Sequence, residues 1–310
     1  MSVLRFQLFG KFLVKRDDQK ISGLEVCKEQ ELLSYLLLHR NRPHPRESLA
    51  SLLWANTTTE RSKKYLRQAL WHVVSALQEY NASSPALLQV EHDWVQLNLH
   101  DGVWADVAVF DRAFAAVQGI AGRQLDSPKV DLLEEAVKAY NGELLEGWYQ
   151  DWCLFERERL QNAYLTLLDK LMDHAVAHGD YEAGQGYGAT ILSYDRASER
   201  TYRRLMRLQY HGGDRTGALR QYQRCVTALS EELSVKPERR TQQLYEEIKA
   251  DTLVGRNIPS DIELPENSAT SLPAVLGRLR RLHSILNSVQ HRLQRDIGAV
   301  EQALKTKTTK

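Results

Sequence analysis

The sequence predicts a mainly α-helical chain with a small β component, and three observations carry that prediction. Within residues 59–80, Leu66, Leu70, Val73 and Leu77 recur at steps of four, three and four, the stripe of an amphipathic helix. Two Gly-Asp pairs, Gly179-Asp180 and Gly213-Asp214, stand 34 residues apart, each between two helical segments. From Leu272 to Leu304 apolar residues repeat at coiled-coil spacing. Strand-like alternation is confined to short runs before residue 106. At 310 residues, 43% of them hydrophobic, the chain can bury the cores of two domains.

Residues 3–21 read as short strands. Leu4, Phe6 and Leu8 alternate, Phe12 and Val14 continue after Gly10, and Arg16-Asp17-Asp18 forms a hairpin turn leading to Ile21. A helix is predicted from Glu25 to His39, with Leu32, Leu33, Tyr35, Leu36, Leu37 and Leu38 as its apolar side. Arg42-Pro43-His44-Pro45 ends it. Pro45 can open the next helix, Glu47 to Trp54, because a first-turn proline loses no needed hydrogen bond. Residues 55–59 connect, with threonines suited to capping, to the helix of residues 59–80. Two alternating runs follow, Leu87 to Val90 and Val95 to Leu99. They predict a ribbon with His92, Asp93 and Trp94 at its tip, closing near Val103 to Val107. Helix, helix, ribbon in that order predicts a winged helix-turn-helix over residues 1–105.

From 106 to 251 the pattern is helical throughout. Val107, Phe110 and Phe114 begin one helix, and Val130 to Tyr140 forms another. Tyr164 to His178 pairs with Tyr181 to Tyr194, and Glu199 to His211 with Arg215 to Glu232. The period, a turn glycine between paired helices, and Ala183 and Ala218 near the start of each second helix predict tetratricopeptide-like repeats. A further helix, Pro237 to Ala250, adds stacking surface. Residues 252–271, with prolines and little periodicity, read as a linker. Residues 272–310 read as a long coiled-coil helix with one irregularity in its seam. Leu279, Leu282, Leu286, Val289, Leu293, Ile297 and Val300 are its expected homodimerisation contacts, and the opposite reading folds it back on the helical domain.

Charge is unevenly spread. The formal net charge is +1, yet residues 40–72 carry seven Lys/Arg against two Glu, and residues 106–251 carry 19 Lys/Arg against 24 Asp/Glu. A basic head on an acidic body favours one-sided contact with phosphates. The helix of residues 59–80 turns Arg61, Lys63, Lys64, Arg67, Gln68, Trp71, His72 and Ser75 away from its stripe. Guanidinium and amide groups can reach base edges in double-stranded DNA while lysines hold phosphates. The plainer reading is a solvated helix face. Trp71 can meet a thymine methyl or pack on a neighbouring helix.

Enzyme chemistry is not expected. There is no GxxxxGK[ST] loop, no nucleophile elbow and no carboxylate pair. His174 and His178 have zinc-compatible spacing but no third ligand, so no metal and no cofactor are expected. Cys27, Cys153 and Cys225 are odd in number and far apart, which suits free thiols in a reducing compartment. No run approaches the ~18 apolar residues of a membrane span, and MSVLRFQLFG starts as a strand with no leader, so a cytoplasmic protein without a receiver domain ahead of residue 3 is expected. Tyr181, Tyr187, Tyr194, Tyr202, Tyr210 and Tyr222 can line a partner groove or serve repeat packing.

Over about residues 3–250 the chain resembles bacterial transcriptional regulators of the SARP type, which join an OmpR-like winged helix to a tetratricopeptide-like bacterial transcriptional activator domain. The resemblance rests on LRFQLFGKFLV, SLASLLW (Ser48 to Trp54), YLRQALWHVVSAL (Tyr65 to Leu77) and WADVAVFDRAF (Trp104 to Phe114). It continues in GELLEGWYQDWCLFERERLQ (Gly142 to Gln161) and ALRQYQRCVTALSEELSVKPERRTQQLYEEI (Ala218 to Ile248). It implies activation by recruiting RNA polymerase at direct-repeat sites. Where the family carries basic residues late in the recognition helix, this chain has His72, Val74 and Ser75. Fewer fixed charges displace fewer counterions, so weaker and less salt-sensitive binding is expected than from a fully basic helix. Those positions also support the alternative, a protein-interaction adaptor with weakened or lost DNA binding.

Overall fold

The computed structural model describes residues 3–17, 19–78 and 86–253. It is mostly helical, with a small β component in its N-terminal part. Strand β1 (Leu4–Gln7) pairs antiparallel with β2 (Leu13–Arg16), placing Phe6 opposite Val14, and β3 (Gln19–Lys20) extends the sheet at its edge. Helices α1 (Cys27–Leu38), α2 (Arg46–Leu53) and α3 (Thr59–Gln78) follow. Between α1 and α2 lies the short strand β4 (His44–Pro45), and Pro45 is both its last residue and the cap of α2. The ribbon is β5 (Leu88–Val90) with β6 (Trp94–Leu97), Val90 facing Val95.

Strand β7 (Val103–Ala105) corrects the expectation that the ribbon closes there. It pairs in parallel with β1, so the first sheet has the order β3-β2-β1-β7, while the third strand of the ribbon sheet is β4. The chain turns at Gly102, whose backbone φ of +96° is open to glycine, and its carbonyl accepts from the N–H of Leu4 at 2.9 Å. That bond carries the strand back to the N-terminus rather than along the ribbon.

The second part comprises α4 (Asp106–Ala116), α5 (Ser127–Ala139), α6 (Asp151–His178), α7 (Tyr181–Tyr194), α8 (Glu199–His211), α9 (Arg215–Leu233) and α10 (Arg239–Lys249). Helix α6 starts 13 residues before the expected Tyr164. The repeat chemistry is regular. Gly179 and Gly213 adopt φ of +73° and +85°, and the following aspartates cap the next helices: Asp180 accepts from Ala183 N–H at 3.1 Å and Asp214 from Gly217 N–H at 2.7 Å. Ala183 is therefore a capping partner. The buried small residue aligned with Ala218 is Gly184, which with Gly188 lets α7 lie against Leu208 and Leu205 of α8.

The two parts share one core, an unbroken cluster from Leu4 and Phe6 through Leu66 and Phe110 to Leu171 and Leu208. Asp106 sits at the seam. Its Oδ2 accepts from the N–H groups of Leu8 (2.7 Å) and Phe9 (2.8 Å), and its Oδ1 from Val107 (2.7 Å). Beyond Phe9 the backbone zips to the loop before α6: Gly10 N–H donates to Glu143 and Leu145 N–H to Leu8, both at 2.8 Å. The seam residues Leu279, Leu282, Leu286, Val289, Leu293, Ile297 and Val300 and all but the first two residues of the expected linker lie outside the described residues.

Candidate nucleic-acid interface

Helix α3 is held from one side. Leu66, Leu70, Val73 and Leu77 are buried with Ser62, Ala69 and Ala76, and the helix packs on α1 and α2. The opposite side is open. Arg61, Lys64, Arg67, Gln68, Trp71 and Ser75 are all exposed along one outward row, with Trp71 at 67% exposure. Trp71 thus stands clear rather than packing on a neighbouring helix. Lys63 lies on the flank, where its ammonium meets Glu47 of α2. His72 is half-buried and turned toward α1, its Nδ1 donating to Oε1 of the buried Glu29. Val74 is half-buried against the core. Of the eight residues singled out from the sequence, six share the open row and two are engaged beside it.

The ribbon tip is tied to α2. Arg46 donates from its backbone N–H to Asp93 O at 2.9 Å and from Nη1 to Glu91 O at 3.1 Å. His92 and Asp93 are exposed and bonded to each other at 2.5 Å, whereas Trp94 belongs to β6 and is half-buried. Glu29 and Arg46 were not among the expected site residues. A signal for Glu29 was present: it falls four and seven residues before Leu33 and Leu36, in line with an apolar stripe, where an acid requires a partner.

The head is joined to the helical body by ions and rings. Arg40 Nη2 reaches Asp111 at 2.8 Å, so this cation is committed to α4; Arg159 approaches the same carboxylate at 3.6 Å. Trp152 donates from Nε1 to the buried Glu31 at 3.2 Å and meets Tyr35 edge-on. Burial lowers the pKa of His39 and His44 at this joint.

The other candidates are dispersed. The rings of His174 and His178 stack 4.0 Å apart, and His178 Nδ1 bonds its helix carbonyl at 2.9 Å. Among the described residues no group of three His, Cys, Asp or Glu side chains could hold a metal ion, and no helix is long and apolar enough to cross a membrane. All three cysteines are free, and burial pushes the Cys225 thiol up to about 12. The six tyrosines do not line one groove. Tyr181 and Tyr187 join the main core, Tyr194 is exposed and meets Tyr164 edge-on, Tyr202 belongs to a second cluster, and Tyr210 and Tyr222 pack against a third.

A family model described as the bacterial transcriptional activator domain matches residues 105–249. The chain carries a bacterial transcriptional activator domain. Its match begins at the β7–α4 junction and ends with α10, so the activator domain is the helical body described above. The chain is 23% identical over 268 residues to the transcriptional regulatory protein MoaR1 of Mycobacterium bovis, covering 84% of this chain and 85% of that one. It is 24% identical over 278 residues to the regulatory protein AfsR of Streptomyces coelicolor, covering 89% of this chain but 26% of AfsR. The solved structure of Mycobacterium tuberculosis EmbR in complex with a low affinity phosphopeptide shares the fold, with a TM-score of 0.60 at 20% identity, over 81% of this chain and 66% of that one. The MoaR1 and AfsR matches, at 84% and 89% of this chain, extend beyond the activator domain into the head.

Proposed function

We propose that this chain is a sequence-specific DNA-binding transcription activator of the cytoplasm. In this reading residues 3–105 work as a winged helix-turn-helix that lays α3 in the major groove of double-stranded DNA. The observation that carries it is the open row of α3 opposite its core stripe: three unpaired cations among the described residues, Arg61, Lys64 and Arg67, with the amide of Gln68 and the indole of Trp71. Lys64 and Arg61 suit phosphates, and Arg67 and Gln68 suit base edges. The activator domain, with its tetratricopeptide-like pairs, supports the head and offers RNA polymerase a surface. The seam of residues 279–300 brings two copies together.

The adaptor reading rests on His72 and Val74, each engaged within the fold rather than presented. A mobility-shift assay at two salt concentrations separates the two. Arg67→Ala should weaken binding by about 1–3 kcal/mol through the lost base-edge contact. An affinity unchanged at both would favour the adaptor.

A further inference from the structure

Trp71 stands mid-row on α3, between Arg67 and Gln68 on one side and Ser75 on the other, with its indole open. Scattered exposed aliphatics are ordinary, but an indole is the largest apolar group a helix can present. Its place is set from behind. His72 lies against α1, where Nδ1 donates to Glu29, and Glu29 is only 4% exposed. A carboxylate buried that deeply is stable only with its partner kept, so the imidazole is held in one orientation. That ring meets Trp71 edge-to-face, with centroids 5.2 Å apart and planes at 60°, forming a wall along one side of the indole.

The apolar group that bases present in the major groove is the C5-methyl of thymine. We propose that Trp71 reads thymine through this methyl group, and that Glu29 and His72 are positioning residues that hold the indole where it can do so; this rests on the reading of α3 as a DNA-recognition helix.

The full chain is used to select duplexes from a random pool, and each thymine of the selected site is then replaced in turn by uracil, which lacks only the methyl. The ratio of the two affinities does not depend on how much of a preparation is folded. The wild type should lose about fourfold at one or two positions, the effect of one buried methyl. Trp71→Ala should lose that discrimination. Glu29→Leu should bring the ratio toward that of Trp71→Ala, while Glu29→Gln, whose carbonyl still accepts from Nδ1, should restore it. If the wild type selects no duplex, the reading of α3 itself fails. If it binds but tolerates uracil everywhere, or Trp71→Ala keeps the wild-type ratio, thymine reading is overturned. A wild-type ratio in Glu29→Leu overturns the positioning role.

Discussion

Replacing Asp106 by asparagine should remove a pH dependence that runs opposite to ordinary acid denaturation. Burial raises the Asp106 carboxyl to about 7, in spite of the backbone N–H groups of Phe9, Leu8 and Val107 that favour its charged form. In the unfolded chain the same group ionises near ~3.9. Between those values folding takes up a proton, so the contribution is fully present below about pH 4 and is lost as pH rises through 7. Three pKa units correspond to about 4 kcal/mol as an upper bound. Asparagine does not titrate, and its amide nitrogen replaces one acceptor facing the N–H groups of Leu8, Phe9 or Val107. That leaves a buried donor unpaired, a loss of about 1–3 kcal/mol. Urea unfolding of both proteins at pH 5, 6, 7 and 8 measures the effect. The wild-type advantage should be largest at pH 5 and shrink by a few kcal/mol toward pH 8. An advantage that is constant or grows with pH would refute the reasoning.

Four further outcomes follow from the packing and the open row. Gly186 of α7 has open space where a Cβ would stand, so Gly186→Ala should stabilise by up to about 1 kcal/mol through helix propensity. Gly188, two residues on and on the buried face, would bring a Cβ within 2.6 Å of Leu205 Cδ2, so Gly188→Ala should destabilise by about 1–3 kcal/mol in thermal or urea melts. At Gly122 the obstacle is the backbone carbonyl of Lys170 at 2.3 Å, which cannot swing aside, and Gly122→Ala should melt lower than Gly188→Ala. In DNA titrations over a range of salt, Lys64→Ala should lower the slope by about 0.9 while Ser75→Ala leaves it unchanged.

Much of the fold was legible in local pattern. The 3.6-residue stripe located α3, and Gly-Asp spacing located the turns of α6–α7 and α8–α9, because both signals lie within a few residues of what they determine. What escaped depends on distant partners. β7 looks like a ribbon strand until it meets β1, about a hundred residues earlier by sequence. The start of α6 is masked by Tyr149 and Phe155, which are exposed, and by Trp152, which serves Glu31; such aromatics break any single-face period. Asp106 reads as an ordinary helix start, and only the folded chain brings Leu8 and Phe9 to it. The row on α3 was legible because burial of its opposite stripe orients it. The removal of His72 to the flank was not, since Glu29 is 43 residues away.

The central claim is that the open row of α3 selects sites on DNA. Chromosomal DNA bound by the full chain in cells should be mapped for the wild type and for a variant carrying Lys64→Ala, Arg67→Ala and Gln68→Ala. All three side chains are exposed, so the fold should be retained. The account predicts discrete wild-type sites upstream of genes sharing one sequence pattern, and their loss in the variant at equal protein level. Wild-type DNA with no enriched sites, or the same sites kept by the variant, would contradict it.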